Sequence, residues 1–257
     1  MIINDSENNF PLELINIAQN ILPLIPVQNI KKQYPDINSA EYKAEVILKN
    51  YICSVDCFES FSKHSSHPDD LFYKFYKETC KHKIVCHHYT RVLDPNDIEA
   101  NGLRPNNWKN IYSQMLKTLT MVGLDEQSIK AATNNLHNFY TDKYPDSAND
   151  INYTTAINSD DIKKFTTNIG GELGACLESD TDLWHLLISN GTPIRVDFVA
   201  NITDDSKFHK LVHYLLIRIL TQLIWGTSED DYDYAGIIKK PIDKNITVIS
   251  LNKNIAP

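Results

Sequence analysis

The sequence predicts an α+β protein in which a helical N-terminal part precedes a sheet-bearing part broken by helical insertions. Three observations predict it. Apolar residues recur at spacings of three and four through the first third of the chain, the mark of helices with one buried face. Later segments are short, β-branched and aromatic, without a helical period. The 257 residues are enough for one large domain with an appendage.

Leu12, Leu14, Ile15, Ala18, Ile21 and Leu22 carry the helical spacing at the start, and Ala40, Tyr42, Ala44, Val46, Ile47 and Tyr51 continue it. Ser39 and Pro68 stand where helices can begin. Lys83 to Arg91 (Lys-Ile-Val-Cys-His-His-Tyr-Thr-Arg) then reads as a strand. Asp94-Pro95 stops it, a short helix follows over Pro95 to Ala100, and Asn101-Gly102 ends that helix as a left-handed C-cap does.

Trp108 to Tyr144 is again helical in pattern, an insertion with Gly123 at the break between two helices. Ile151 to Ile157 alternates as a strand, Ser159 caps a helix through Phe165, and Gly170-Gly171-Glu172 opens another. Beyond the Asn190-Gly191 turn, Thr192 to Val199 reads as a core strand with Ile194, Val196 and Phe198 on one side. Ser206 to Trp225 reads as a long helix. Tyr232 to Lys240 and Asn245 to Leu251 finish the chain as strands around a turn at Pro241 to Lys244.

Composition removes several classes of function. With 42% hydrophobic and 23% charged residues the chain is of ordinary globular make-up. A net charge of −8 disfavours duplex nucleic acid as a partner, since phosphate binding needs a basic footprint. The densest basic run, Lys74, Lys77, Lys81, Lys83 and Arg91, reads as a solvated face. Met1 to Phe10 holds Asp5 and Glu7 and lacks the basic and apolar regions of a secretory signal, so export by that route is not expected. The longest apolar stretch, Leu215 to Trp225, is interrupted by Arg218 and falls short of a membrane span. Five cysteines (Cys53, Cys57, Cys80, Cys86, Cys176) are an odd number, which fits reduced thiols and a cytoplasmic setting.

Cys80, His82, Cys86, His87 and His88 are all zinc-ligand types, but no second pair follows at knuckle spacing, so no metal is expected. His209 and His213 stand at i, i+4 without the glutamate of a zincin and read as a solvated helix face. Gly-x-Ser-x-Gly, the Rossmann fingerprint and the P-loop are all missing. What remains is His88-Tyr89-Thr90-Arg91. On a strand, His88 and Thr90 point to one side and Tyr89 to the other, so a histidine and a hydroxyl line one groove and suit a ribose. A strand histidine that merely bonds a backbone carbonyl would look the same in sequence.

A His-Tyr-Thr strand, a short helix and then Gly102-Leu103 resembles the first NAD-contacting motif of the ADP-ribosyltransferase superfamily, in its poly-ADP-ribose polymerase-like and bacterial toxin branches. The resemblance covers Cys86 to Pro105. It implies a split mixed sheet with helical insertions over 83–257, the largest insertion at about 108–145, and a helical cap or recognition subdomain over 1–82. It implies NAD as substrate, with His88 on the adenosine ribose, Thr90 and Tyr89 beside it, Arg91 at the diphosphate through its forked guanidinium, and Gly102 closing the motif.

The family's second motif, a strand tyrosine stacked on the cationic nicotinamide, matches Tyr153. The third is a late-strand glutamate, and here the sequence departs from the pattern. Asp231-Tyr232-Asp233-Tyr234 supplies Asp233, while Glu229 and Glu172, the latter at a helix start, are alternatives. A carboxylate is needed because cleavage of the nicotinamide bond passes through an oxocarbenium-like state.

The activity implied is mono-ADP-ribosylation of a macromolecule, most simply a protein, by a bacterial toxin or effector that is cytoplasmic or delivered into a host cell. A non-catalytic binding or adaptor protein on a similar scaffold, and a transferase acting on nucleic acid, are the alternatives.

Overall fold

The computed structural model describes residues 1–25, 27–33, 70–92, 94–105, 151–155, 181–226, 234–243 and 245–251, with isolated positions at 116–134 and at 166. Along the chain the described elements are β1 (Ile2–Ile3), α1 (Leu12–Ile21), α2 (Val27–Gln33), α3 (Leu71–Thr79), β2 (Lys83–Val92), α4 (Pro95–Asn101), β3 (Ile151–Thr154), α5 (Thr181–Asn190), β4 (Thr192–Asn201), α6 (Phe208–Trp225), β5 (Ala235–Ile238) and β6 (Thr247–Ser250). Helices and a sheet with antiparallel pairs make this an α+β protein. Two compact units divide the chain, Met1–Val85 with Ala200–Gly236, and Cys86–Val199 with Ile237–Pro257.

The first unit is helical, and its elements follow from local sequence. Leu14, Ala18 and Ile21 form the buried stripe of α1. In α3, Phe72, Phe75 and Thr79 are buried, and the Asp70 carboxylate caps the helix by accepting from the amides of Phe72 (2.8 Å) and Tyr73 (3.5 Å). Such a cap stabilises by about 1 kcal/mol.

α6 is buried nearly all round, from Leu211 and Val212 to Ile224, and packs on α1 and α3. A helix apolar on every side has to be enclosed. For that reason the segment 200–236 belongs with the first 85 residues, whereas the sequence pattern grouped it with the later strands.

One polar network crosses this unit. Asp5, 3% exposed, accepts from Arg218 Nε at 3.0 Å and from the Tyr214 hydroxyl, and Arg218 also donates to Asn8. It ties the N-terminal turn to the middle of α6, and loss of one partner from such a buried pair costs about 3–5 kcal/mol.

His209 and His213 do not form a solvated face. Buried Nδ1 of His209 and Nε2 of His213 show that both rings pack inward, and His209 stacks on Tyr76 at 5.5 Å and lies against Phe208 at 4.0 Å. Contact between α6 and α3 half-buries Phe208 and His209 in the first turn of α6, while Lys210 stays exposed.

In the sheet the strands run in the order β5-β3-β2-β4-β6, and β1 pairs in parallel with the start of β2 (Ile2↔Lys83, Ile3↔Ile84). β3 is antiparallel to β2 and β6 antiparallel to β4. Within the second unit, Ile194, Val196 and Phe198 of β4 are buried together, as their alternation requires.

α4 begins as expected, with Asp94 accepting from the Asn96 amide at 3.0 Å and Pro95 in the first turn. Gly102 ends it at φ +73°, and there a Cβ would sit 2.1 Å from the Ile242 carbonyl oxygen. Leu103 and Ile242 exchange backbone hydrogen bonds at that approach, so glycine is needed to let the two segments meet.

The late strands are shorter than their sequence patterns, Ala235–Ile238 and Thr247–Ser250. The expected helices after Ser159 and Gly170, most of the insertion at 108–145, Cys53, Cys57, Cys176, Glu172, Glu229, Asp231 and Asp233 lie outside the described residues.

Candidate functional site

β2 runs through the sheet between β3 and β4, and its alternation produces two unlike faces. His87, Tyr89 and Arg91 are buried on one side, while His88 and Thr90 are half-buried on the other. Thr154 of β3 stands opposite His87, so Tyr153 belongs to the His88 side. Phe198 of β4 shares that side, and its ring meets Tyr153 edge-on at 6.3 Å.

On the His88 side, Nδ1 of the imidazole donates to the carbonyl of Asn152 at 2.7 Å. A carbonyl can only accept, so the proton is on Nδ1, and in the neutral ring Nε2 is an acceptor. Between β2 and β3 the backbone register is His87↔Thr154, and one residue further along β2 it is this side chain that bridges to β3. His88 and Thr90 are thus placed together on one face. Tyr153 is only 4% exposed, a core ring packed on Phe198 and not the open platform that stacking on a nicotinamide needs.

On the opposite side the charged groups are held by the protein itself. Arg91 was expected at a diphosphate, but it is buried and its guanidinium binds backbone carbonyls: Nη1 donates to Ile188 at 2.8 Å and Gly191 at 2.7 Å, and Nε to Thr166 at 3.4 Å. Ile188 is in the last turn of α5, where helix carbonyls lack intrahelical partners and the dipole is negative, so a cation is well placed there. Burial pulls the Arg91 guanidinium below its ordinary range. Tyr89 is 9% exposed and interacts with Arg195, so it faces away from the groove. Gly102 is held against Ile242.

Sequence reasoning missed the strongest cluster on this side. Asp197 of β4 accepts from His87 Nδ1 at 2.6 Å and holds Arg195 through both oxygens, Nε at 2.8 Å and Nη2 at 2.9 Å. Burial raises the Asp197 carboxyl, but the bonds and charges of His87 and Arg195 outweigh it and hold it below the usual range. Nε2 of His87 is buried without a hydrogen-bond partner among the described residues. The available signal was Arg195-Val196-Asp197, two charged residues at i, i+2 inside a strand otherwise apolar.

No group of three or more histidine, cysteine or acidic side chains suited to a metal occurs among the described residues. Cys80 and Cys86 are free thiols. No family model, curated protein or solved structure matches the chain.

Proposed function

We propose that the protein is an NAD-dependent mono-ADP-ribosyltransferase acting on a macromolecular acceptor, most simply a protein, in a toxin or effector role. The observation that carries this reading is His88. Its tautomer is fixed by the Asn152 carbonyl, and its Nε2 is an acceptor for a ribose hydroxyl beside Thr90 on the same face. The sheet order adds support, because β2, β3 and β5, the strands that hold or follow the three motif segments, are neighbours.

In this reading His88 and Thr90 hold the adenosine ribose. Tyr153 walls the site from within the core, Arg91 and Tyr89 act as framework, and Gly102 keeps α4 against residues 242–243. Asp233, two residues before β5, supplies the carboxylate that stabilises positive charge at the ribose carbon as the nicotinamide bond breaks. Glu172 is the other acid.

Incubation with NAD labelled in the adenosine, together with a cell lysate, tests the reading by following label into protein and nucleic acid separately. Label in protein is expected. Asp233→Asn should keep NAD binding and lower transfer by roughly a hundred- to a thousandfold, the effect of removing one preorganised electrostatic group, while Glu172→Gln stays near wild type. Full transfer in both variants overturns the mechanism.

A second reading has its own observation. Arg91 and Tyr153 are both committed to packing, as they would be in a non-catalytic binding protein that uses β2 as scaffold. Absence of NAD binding by the intact chain selects it.

A further inference from the structure

We propose that His87 and Asp197 are positioning residues for the nucleotide site, clamping β2 to β4 from the far side of the sheet so that His88 and Thr90 are held in the orientation that receives a ribose. The inference rests on the reading of His88 as a ribose contact.

Its basis is the pair of imidazoles at consecutive positions. His87 reaches across to β4, where Asp197 accepts a hydrogen bond from its Nδ1 at 2.6 Å, and His88 reaches across to β3, where the Asn152 carbonyl accepts from its Nδ1 at 2.7 Å. At one point in its length β2 is therefore fixed by a side chain to both β3 and β4. Asp197 is itself held, because Arg195 grips both of its oxygens, so the acceptor offered to His87 cannot rotate away.

The His87 ring is 2% exposed, too deep to meet a ligand. Its Nε2 has no hydrogen-bond partner among the described residues, although a buried polar atom left unpaired is costly. An apolar ring of similar shape would avoid that cost. What the imidazole supplies and an apolar ring would not is the directional bond to β4.

His88 follows His87 by one peptide unit. Rotation or slip of β2 at His87 therefore changes the direction of the His88 side chain and breaks its bond to Asn152. With that bond lost, Nδ1 and Nε2 of His88 compete for the proton, and the acceptor nitrogen is no longer fixed toward the ribose.

His87→Phe removes the clamp and the unpaired nitrogen together and leaves Asp197 paired with Arg195, so a purely structural role predicts unchanged or raised thermal stability and nothing else. The clamp predicts more. Nitrogen-15 spectra of the His88 ring should pass from a single Nδ1-protonated tautomer in the wild type to a mixture in His87→Phe, and NAD affinity by titration calorimetry should fall by about tenfold. Asp197→Asn retains an oxygen for His87 Nδ1 and Arg195 Nε but loses the bond from Arg195 Nη2, so both readouts should fall between wild type and His87→Phe, whereas Asp197→Ala should behave like His87→Phe.

Should His87→Phe fail to fold, Asp197→Ala carries the same test with the His87 ring in place. A His88 tautomer unchanged in both variants overturns the clamp, whatever the calorimetry gives. A wild type that does not bind NAD, with a His88 tautomer that still shifts in the variants, upholds the clamp and overturns the nucleotide reading.

Discussion

His87 and His88 are adjacent in the chain, and each donates Nδ1 to an oxygen on an adjoining strand, His87 to the Asp197 carboxylate and His88 to the Asn152 carbonyl. Their surroundings differ. The His87 side holds Tyr89 and Arg91, all buried, with Arg195 locked on Asp197 and Arg91 on the end of α5. His88 and Thr90 are half-buried, over a core of Tyr153 and Phe198. The difference teaches that charge along a strand does not by itself mark a ligand face. On this strand Arg91 is satisfied by the protein, and His88, with its Nδ1–H held by Asn152, has an acceptor to offer when the ring is neutral.

The largest effects should come from residues placed in the framework. Tyr153→Ala removes a buried ring packed on Phe198 and should cost about 3–5 kcal/mol in denaturant melts. A loss under about 1 kcal/mol would show that Tyr153 stands free for stacking, and the framework role would be withdrawn. Arg91→Ala should cost about 3 kcal/mol, because two short charge-assisted bonds to the carbonyls of Ile188 and Gly191 are lost. A variant that melts like wild type but no longer binds NAD would return Arg91 to the diphosphate and break the contrast between the faces.

At His88 the effect should be smaller and of another kind. His88→Ala should weaken NAD binding by about 1–3 kcal/mol, one or two hydrogen bonds, with little change in melting temperature. Equal losses of stability and affinity would make His88 one more framework group.

Legibility followed the range of the interactions. α4 was readable because Asp94 and Pro95 act within a few residues, and β4 because Ile194, Val196 and Phe198 repeat at the strand period. The placement of α6 was not, since its enclosure depends on α1, α3 and the pair of Asp5 with Arg218, over two hundred positions apart in sequence. At the candidate site, alternation correctly separated His88 from Tyr89. It did not reveal that Arg91 and His87 are bound within the protein, because the partners of Arg91 are backbone carbonyls that carry no sequence signature, and that of His87 comes from a strand 110 residues away.

The smallest effect should appear in acid, and it separates the two histidines through their acceptors. Asp197 has a folded pKa below its unfolded value, which for an aspartate is about 3.9. A carboxyl shifted down contributes stability that is fully present above the unfolded value and lost as pH falls through the folded one. Wild type should therefore lose stability below about pH 4 through this group, and Asp197→Asn should show a shallower fall over the same range in denaturant melts taken at stepped pH. His88→Ala should keep the wild-type slope there, since the Asn152 carbonyl that His88 binds does not titrate. If Asp197→Asn keeps the full acid slope, the carboxylate is not held by His87 and Arg195 in solution, and the two histidines then differ in burial but no longer in the strength of their anchors.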